Sequence, residues 1–101
     1  MTDVPIRTLV VDDEQLARQR LTGFLGKVPG IEIVGQASNG MEALQLIEET
    51  SPDLVFLDVQ MPGMDGFEVL KSLRSDPPHV VFATAYDEYA LQAFEVEAVD
   101  Y

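Results

Sequence analysis

The sequence predicts an α/β fold, a doubly wound parallel sheet forming one domain over residues 1–101. Three observations predict it. Short apolar, strand-like runs alternate with helical periodicity four times over, and strict alternation with crossover helices makes a parallel sheet covered on both faces. The third run, Leu54-Val55-Phe56-Leu57, is apolar at every position and too short for a free-standing helix, which suits the centre of such a sheet. The length also fits: 101 residues, 47% of them hydrophobic, supply one core and leave no room for a second.

Each element can be justified in turn. Ile6-Arg7-Thr8-Leu9-Val10-Val11 is a β-branched apolar run that stops at Asp12-Asp13-Glu14, a buried strand giving way to an acidic loop. Leu16, Ala17, Leu21, Phe24, Leu25 and Val28 then recur at three- and four-residue spacings as the inward face of a first helix. Arg18, Arg20 and Lys27 lie mostly on its other side, and Pro29-Gly30 ends it. Ile31, Ile33 and Val34 form a second strand, closed by Gly35 and the Ser38-Asn39-Gly40 turn. Ser38 or Asn39 can cap a second helix whose inward positions are Ala43, Leu44 and Ile47.

Ser51-Pro52 breaks the chain before the third strand, which also ends on an acid, Asp58. Met61-Pro62-Gly63-Met64-Asp65-Gly66 is loop and turn sequence, with both methionines packing the loop and Gly66 serving the turn that follows. A third helix buries Phe67, Val69, Leu70 and Leu73 and stops at Pro77-Pro78. Val80-Val81-Phe82-Ala83 is a fourth strand reaching Thr84, and residues Asp87 to Glu95 read as a fourth helix. Ala98-Val99-Asp100-Tyr101 opens a fifth strand.

Eighteen acidic residues against six basic ones give a formal charge of −12. That balance argues against a nucleic-acid surface and against an anionic membrane face, both of which need Lys and Arg. The absence of cysteine excludes disulfides, thiolate nucleophiles and Cys-ligated metals. The start carries no signal-peptide pattern, and no apolar stretch approaches the roughly 18 residues of a membrane span. The expectation is a cytoplasmic, acidic domain that itself binds neither nucleic acid nor membrane.

Open parallel sheets bind ligands beyond the carboxyl ends of their strands, where strand order reverses. Asp12 and Asp13 follow strand one, Asp58 follows strand three and Thr84 follows strand four. In the flavodoxin-like order 2-1-3-4-5 strands one and three are neighbours, so three carboxylates converge in one crevice with a hydroxyl nearby. Two like charges about 4 Å apart repel by roughly 4 kcal/mol at an effective dielectric near 20, which raises pKa values or drives cation capture. Oxygen ligands without His or Cys favour a hard, partly hydrated ion such as Mg²⁺. A single Asp at a strand end more often caps a helix, and Asp12 or Asp13 can do so at Glu14; three at adjacent strands weaken that reading. A flavin or nucleotide phosphate is disfavoured here, because Asp12-Asp13-Glu14 would repel it and no GxGxxG or GxxxxGK[ST] pattern occurs. His79, the only histidine, stands at the opposite end of strand four and reads as structural.

Asp12-Asp13-Glu14, Asp58 with Met61-Pro62-Gly63-Met64-Asp65-Gly66, and Thr84-Ala85 together resemble the receiver domain of two-component response regulators. The stretch from Phe82 to Leu91 and on to Val99-Asp100-Tyr101 looks most like receivers of the LytTR type, which usually precede a DNA-binding domain. The resemblance implies that Asp58 is the phosphoacceptor, taking a phosphoryl group from a sensor histidine kinase. It implies Mg²⁺ held by Asp13, Asp58 and the Gln60 carbonyl, with Asp12 acting mainly through metal-bound water. It implies that the Thr84 hydroxyl and the backbone N–H groups of Val59 and Ala85 hold the phosphoryl oxygens, that Tyr101 is the aromatic switch residue, and that any autophosphatase activity is weak.

The family pattern continues past the aromatic switch with a lysine, a proline and a last helix, and the sequence stops at Tyr101. Read as a receiver cut short there, with an incomplete fifth strand and no fifth helix, the chain is expected to keep metal binding, to lose phosphotransfer efficiency and to self-associate through uncovered surface. The alternative is a receiver-shaped interaction module deficient in phosphotransfer. A Mg²⁺-dependent phosphohydrolase would want a second acid just after the nucleophile, and Val59-Gln60 offers none.

Overall fold

A computed structural model describes residues 4–73 and 77–83 of the chain. Seven elements alternate among the described residues: β1 (Ile6–Val11), α1 (Gln15–Leu25), β2 (Ile31–Ala37), α2 (Gly40–Thr50), β3 (Leu54–Leu57), α3 (Gly66–Lys71) and β4 (His79–Phe82). The strands form one parallel sheet in the order β2-β1-β3-β4. The expected fourth helix and fifth strand lie outside the described residues.

The chain moves from β1 to β2 in one direction and from β2 over β1 to β3 in the other. Right-handed crossovers therefore put α1 and α2 on opposite faces of the sheet. Alternation along the strands divides the side chains between those faces. Leu9, Val11, Val55, Leu57, Val80 and Phe82 join Ala37, Ala43, Phe67 and Val69 in one buried cluster under α2 and α3. Phe67 and Phe82 meet there with ring centroids 5.0 Å apart at 54°. Thr8 and Val10, also buried, alternate to the other face, the one that α1 covers.

Local chemistry explains the element ends. Asn39 caps α2 by accepting from the Glu42 N–H at 2.8 Å, which settles the choice between Ser38 and Asn39. Asp65 and Glu68 form a reciprocal capping box at the start of α3. Ser51 closes α2 in the left-handed conformation, and the Arg7 guanidinium donates to the carbonyls of Thr50 and Ser51, tying the end of α2 to β1.

Four readings need correction. The first helix ends at Leu25 rather than at Pro29-Gly30; Lys27 and Val28 then donate to Phe24 and Leu25 in tighter three-residue turns. Leu16 (69% exposed) and Phe24 (67%) do not face inward, and Val28 is also exposed. Leu25 is the buried residue of α1, whose main contacts are with β1 and β2, a narrower footprint than its apolar periodicity suggested. Gly35 does not close β2: the strand runs on to Ala37 through a register shift opposite Thr8 and Leu9, and Gly35 lies against the Leu9 side chain. The third helix stops at Lys71, before Pro77-Pro78, with Leu70 and Leu73 only partly buried.

Candidate functional site

The site grows out of the carboxyl ends of β1 and β3, where the backbone ladder runs out. The last sheet bonds fix both ends of it: Asp12 N–H donates to the Ala37 carbonyl and Asp58 N–H to the Val11 carbonyl, each at 3.0 Å. Beyond them the chain turns away from the sheet, and the side chains of Asp12, Asp13 and Asp58 converge. One carboxylate oxygen from each lies within 4.8 Å of the others. Asp12 and Asp58 are half-buried and Asp13 is exposed. His79, exposed, sits at the other end of the sheet, beside Leu54 in register.

Two of the three carboxylates accept local backbone bonds. Glu14 N–H donates to Asp12 Oδ1 at 2.9 Å, and Gln60 N–H donates to Asp58 Oδ1 at 3.3 Å. Neither Asp12 nor Asp13 caps α1: the Asp12 bond closes a turn centred on Asp13, and the residue at the α1 cap position is Glu14, whose side chain makes no cap bond. Burial pushes the Asp12 carboxyl above its ordinary range; the Glu14 N–H and the Arg18 charge oppose that, and the charges of Asp13 and Glu14 add to it. Asp13, Glu14, Asp58, Gln60, Met61 and Pro62 line an open cleft of about 450 Å³.

Two glycines let the loops approach. A Cβ on Gly66 would overlap the Asp58 carbonyl oxygen and stand 3.0 Å from Val59 Cα. Its need is therefore close contact under the acidic residue; no positive φ is involved, and the Gly66 N–H donates to the Val59 carbonyl at 2.8 Å. A Cβ on Gly40 would come within 2.7 Å of the Met64 Cβ, so the start of α2 is seated on the loop after β3. Met61 is buried and Met64 packs on the core, as the loop reading required.

Of the residues singled out from sequence, Asp12, Asp13 and Asp58 come together, Gln60 lines the same cleft, and Val59 is buried beneath it. Thr84, Ala85 and Tyr101 lie outside the described residues. Sequence reasoning missed Arg18. Helical spacing sets it mostly on the far side of α1, yet its Nη1 donates to the Asp12 carbonyl at 2.7 Å. A helical wheel records where Cβ points and gives no sign of where a long guanidinium reaches.

A parallel α/β sheet with an all-oxygen acidic cluster at its switch point is an arrangement that could hold a hard cation. The comparisons with known proteins name the family. The model of the response regulator receiver domain matches residues 8–101, and the chain belongs to that family. The chain is 50% identical over 99 residues to the positive alginate biosynthesis regulatory protein of Pseudomonas aeruginosa, covering 95% of this chain and 40% of that protein. It is 49% identical over 98 residues to the sensory transduction protein LytT of Bacillus cereus, again covering 95% of this chain and 40% of the relative. The chain therefore spans about two fifths of the length of these curated relatives. Among solved structures it resembles the response regulatory domain of mrkE from Klebsiella pneumoniae, with TM-score 0.85 and 35% identity, covering 94% of this chain and 80% of that one. It also resembles a structure from Borrelia burgdorferi, the CheX-CheY-BeF3-Mg+2 complex, with TM-score 0.84 and 25% identity over 95% of this chain and 75% of that one. Among the described residues no helix is long and apolar enough to cross a membrane.

Proposed function

We propose that the chain is a phosphoacceptor switch, in which Asp58 receives a phosphoryl group from a sensor histidine kinase in the cytoplasm and so controls an output, most simply transcription. The observation that carries this reading is the convergence of Asp12, Asp13 and Asp58 within 4.8 Å at the end of the sheet. All three donors are hard oxygens, a set that fits Mg²⁺. Asp13, Asp58 and the Gln60 carbonyl would hold the ion directly, with Asp12 acting mainly through bound water. When bound, the ion supplies the positive charge that lets an anionic nucleophile meet an anionic phosphoryl group.

The chain's own part is positioning and nucleophilic attack. An Asp58 carboxylate oxygen attacks phosphorus, the phosphorus–nitrogen bond to the kinase imidazole breaks, and its electron pair returns to that nitrogen. The product is an acyl phosphate on Asp58. The Gln60 N–H, already directed at Asp58 Oδ1, orients the carboxylate. The Val59 N–H belongs beside it, and Thr84, Ala85 and Tyr101 keep the phosphoryl-binding and switch roles that the family resemblance gives them.

Incubation with acetyl phosphate followed by intact-mass measurement tests the reading. Wild-type protein is expected to gain one phosphoryl group in a Mg²⁺-dependent manner, and Asp58→Asn to gain none. No gain by the wild type would favour a docking module that has lost phosphotransfer, and equal labelling of Asp58→Asn would move the nucleophile elsewhere.

A further inference from the structure

Arg18 lies outside the roles described so far, yet its guanidinium is fixed against the site. Asp12 is the first residue after β1: its N–H makes a sheet bond to Ala37, while its carbonyl lies past the ladder. That carbonyl accepts from Arg18 Nη1 at 2.7 Å, across the turn from the first turns of α1. Together with the Glu14 N–H on Asp12 Oδ1, this bond ties the Asp12 peptide, the Asp12 carboxylate and α1 into one unit. Asp13 stands in the middle of that unit, and its carboxylate and that of Asp12 face Asp58. Arg18 is half-buried, whereas its neighbours Gln19 and Arg20 are exposed.

We propose that Arg18 is a positioning residue for the cation site, clamping the Asp12 carbonyl so that the two carboxylates of the β1–α1 turn are set before the ion arrives. The inference rests on the reading of the cluster as a Mg²⁺ site. Groups that orient metal ligands commonly govern affinity nearly as strongly as the ligands do. Charge and clamp predict opposite signs here. Removing a cation beside three carboxylates strengthens their attraction for Mg²⁺. Releasing the turn weakens binding, because the ligands must then be ordered by the ion itself.

The test is calorimetric or NMR titration of the protein with Mg²⁺ alone, comparing wild type with Arg18→Met, Arg18→Lys, Arg20→Met and Asp13→Asn. Arg18→Met keeps the side-chain stem and is expected to weaken Mg²⁺ binding about tenfold, while Arg18→Lys, which keeps a donor and the charge, stays within about threefold of wild type. Arg20→Met removes the same charge from the exposed face and is expected to change affinity no more than about twofold. Binding by Arg18→Met as tight as wild type, or tighter, overturns the clamp. Asp13→Asn separates the two failures. Wild-type binding no better than that of Asp13→Asn overturns the cation site and this inference with it. Binding lost in Asp13→Asn but kept in Arg18→Met overturns the Arg18 role alone. If Arg18→Met fails to hold its far-UV circular dichroism, Arg18→Leu, which also lacks a donor, is read in its place under the same criteria.

Discussion

Asp12 shows how one residue can serve a site at the expense of the fold. Its carboxyl is pushed above the ordinary aspartate range mainly by burial, which leaves the charged form short of solvent. The folded state therefore holds this proton more tightly than the unfolded state, so stability falls as pH rises from the ordinary aspartate range through the raised folded value, and is flat above it. Asp12→Asn removes that penalty. Without divalent ions, the variant is expected to melt above wild type at neutral pH, with the gap closing as pH falls below the ordinary aspartate range; a gap independent of pH contradicts it. Added Mg²⁺ is expected to raise wild-type melting more than that of the variant, because only the charged carboxylate answers the ion. The three acids were legible in sequence because each lies within two residues of a strand's end, where side chains must turn out to the rim. The Arg18 bond was not, since it depends on the reach of a flexible side chain across six residues.

At the scale of the element, the entry to α3 is constrained from two sides. Asp65 and Glu68 cap the helix from outside, while Gly66 presses on the backbone of Asp58 and Val59 from within. The two contributions differ in kind. Asp65→Ala removes a cap and is expected to cost about 1 kcal/mol, leaving Asp58 in place. Gly66→Ala forces a Cβ onto the Asp58 carbonyl and is expected to cost roughly 2–3 kcal/mol while also reducing acetyl-phosphate labelling. Urea denaturation paired with labelling checks both, and a Gly66→Ala protein as stable and as reactive as wild type contradicts the packing account. Helix and strand identities could be read from periodicity and punctuation, but element ends were harder. Gly35 resembles a stop in the sequence, and only pairing with β1 shows that a bulge carries the strand through it. Leu16 and Phe24 repeat at helical spacing, yet spacing alone does not say how wide a face the sheet will cover.

For the whole molecule, the decisive fact is topological. Asp13 and Asp58 follow different strands, β1 and β3, with two helices and a strand between those strands in the chain, and they meet only because β3 pairs with β1 on the side away from β2. Alternation alone allows more than one parallel order, so the meeting point could be anticipated only on the condition that strands one and three are neighbours, as in the flavodoxin-like order. Its fine geometry could not, because the depth of each carboxylate depends on how the loops settle on Gly40 and Gly66. The central claim is that these loops make one cation site feeding Asp58. Mn²⁺, an octahedral oxygen-seeking stand-in for Mg²⁺, reports on it through paramagnetic broadening of backbone amide resonances. At substoichiometric Mn²⁺ the amides of Asp12, Asp13, Asp58 and Gln60 are expected to broaden first and to recover when excess Mg²⁺ is added. Broadening that instead follows the exposed carboxylates of Glu48 and Glu49 and leaves the Asp58 amide sharp would contradict the account.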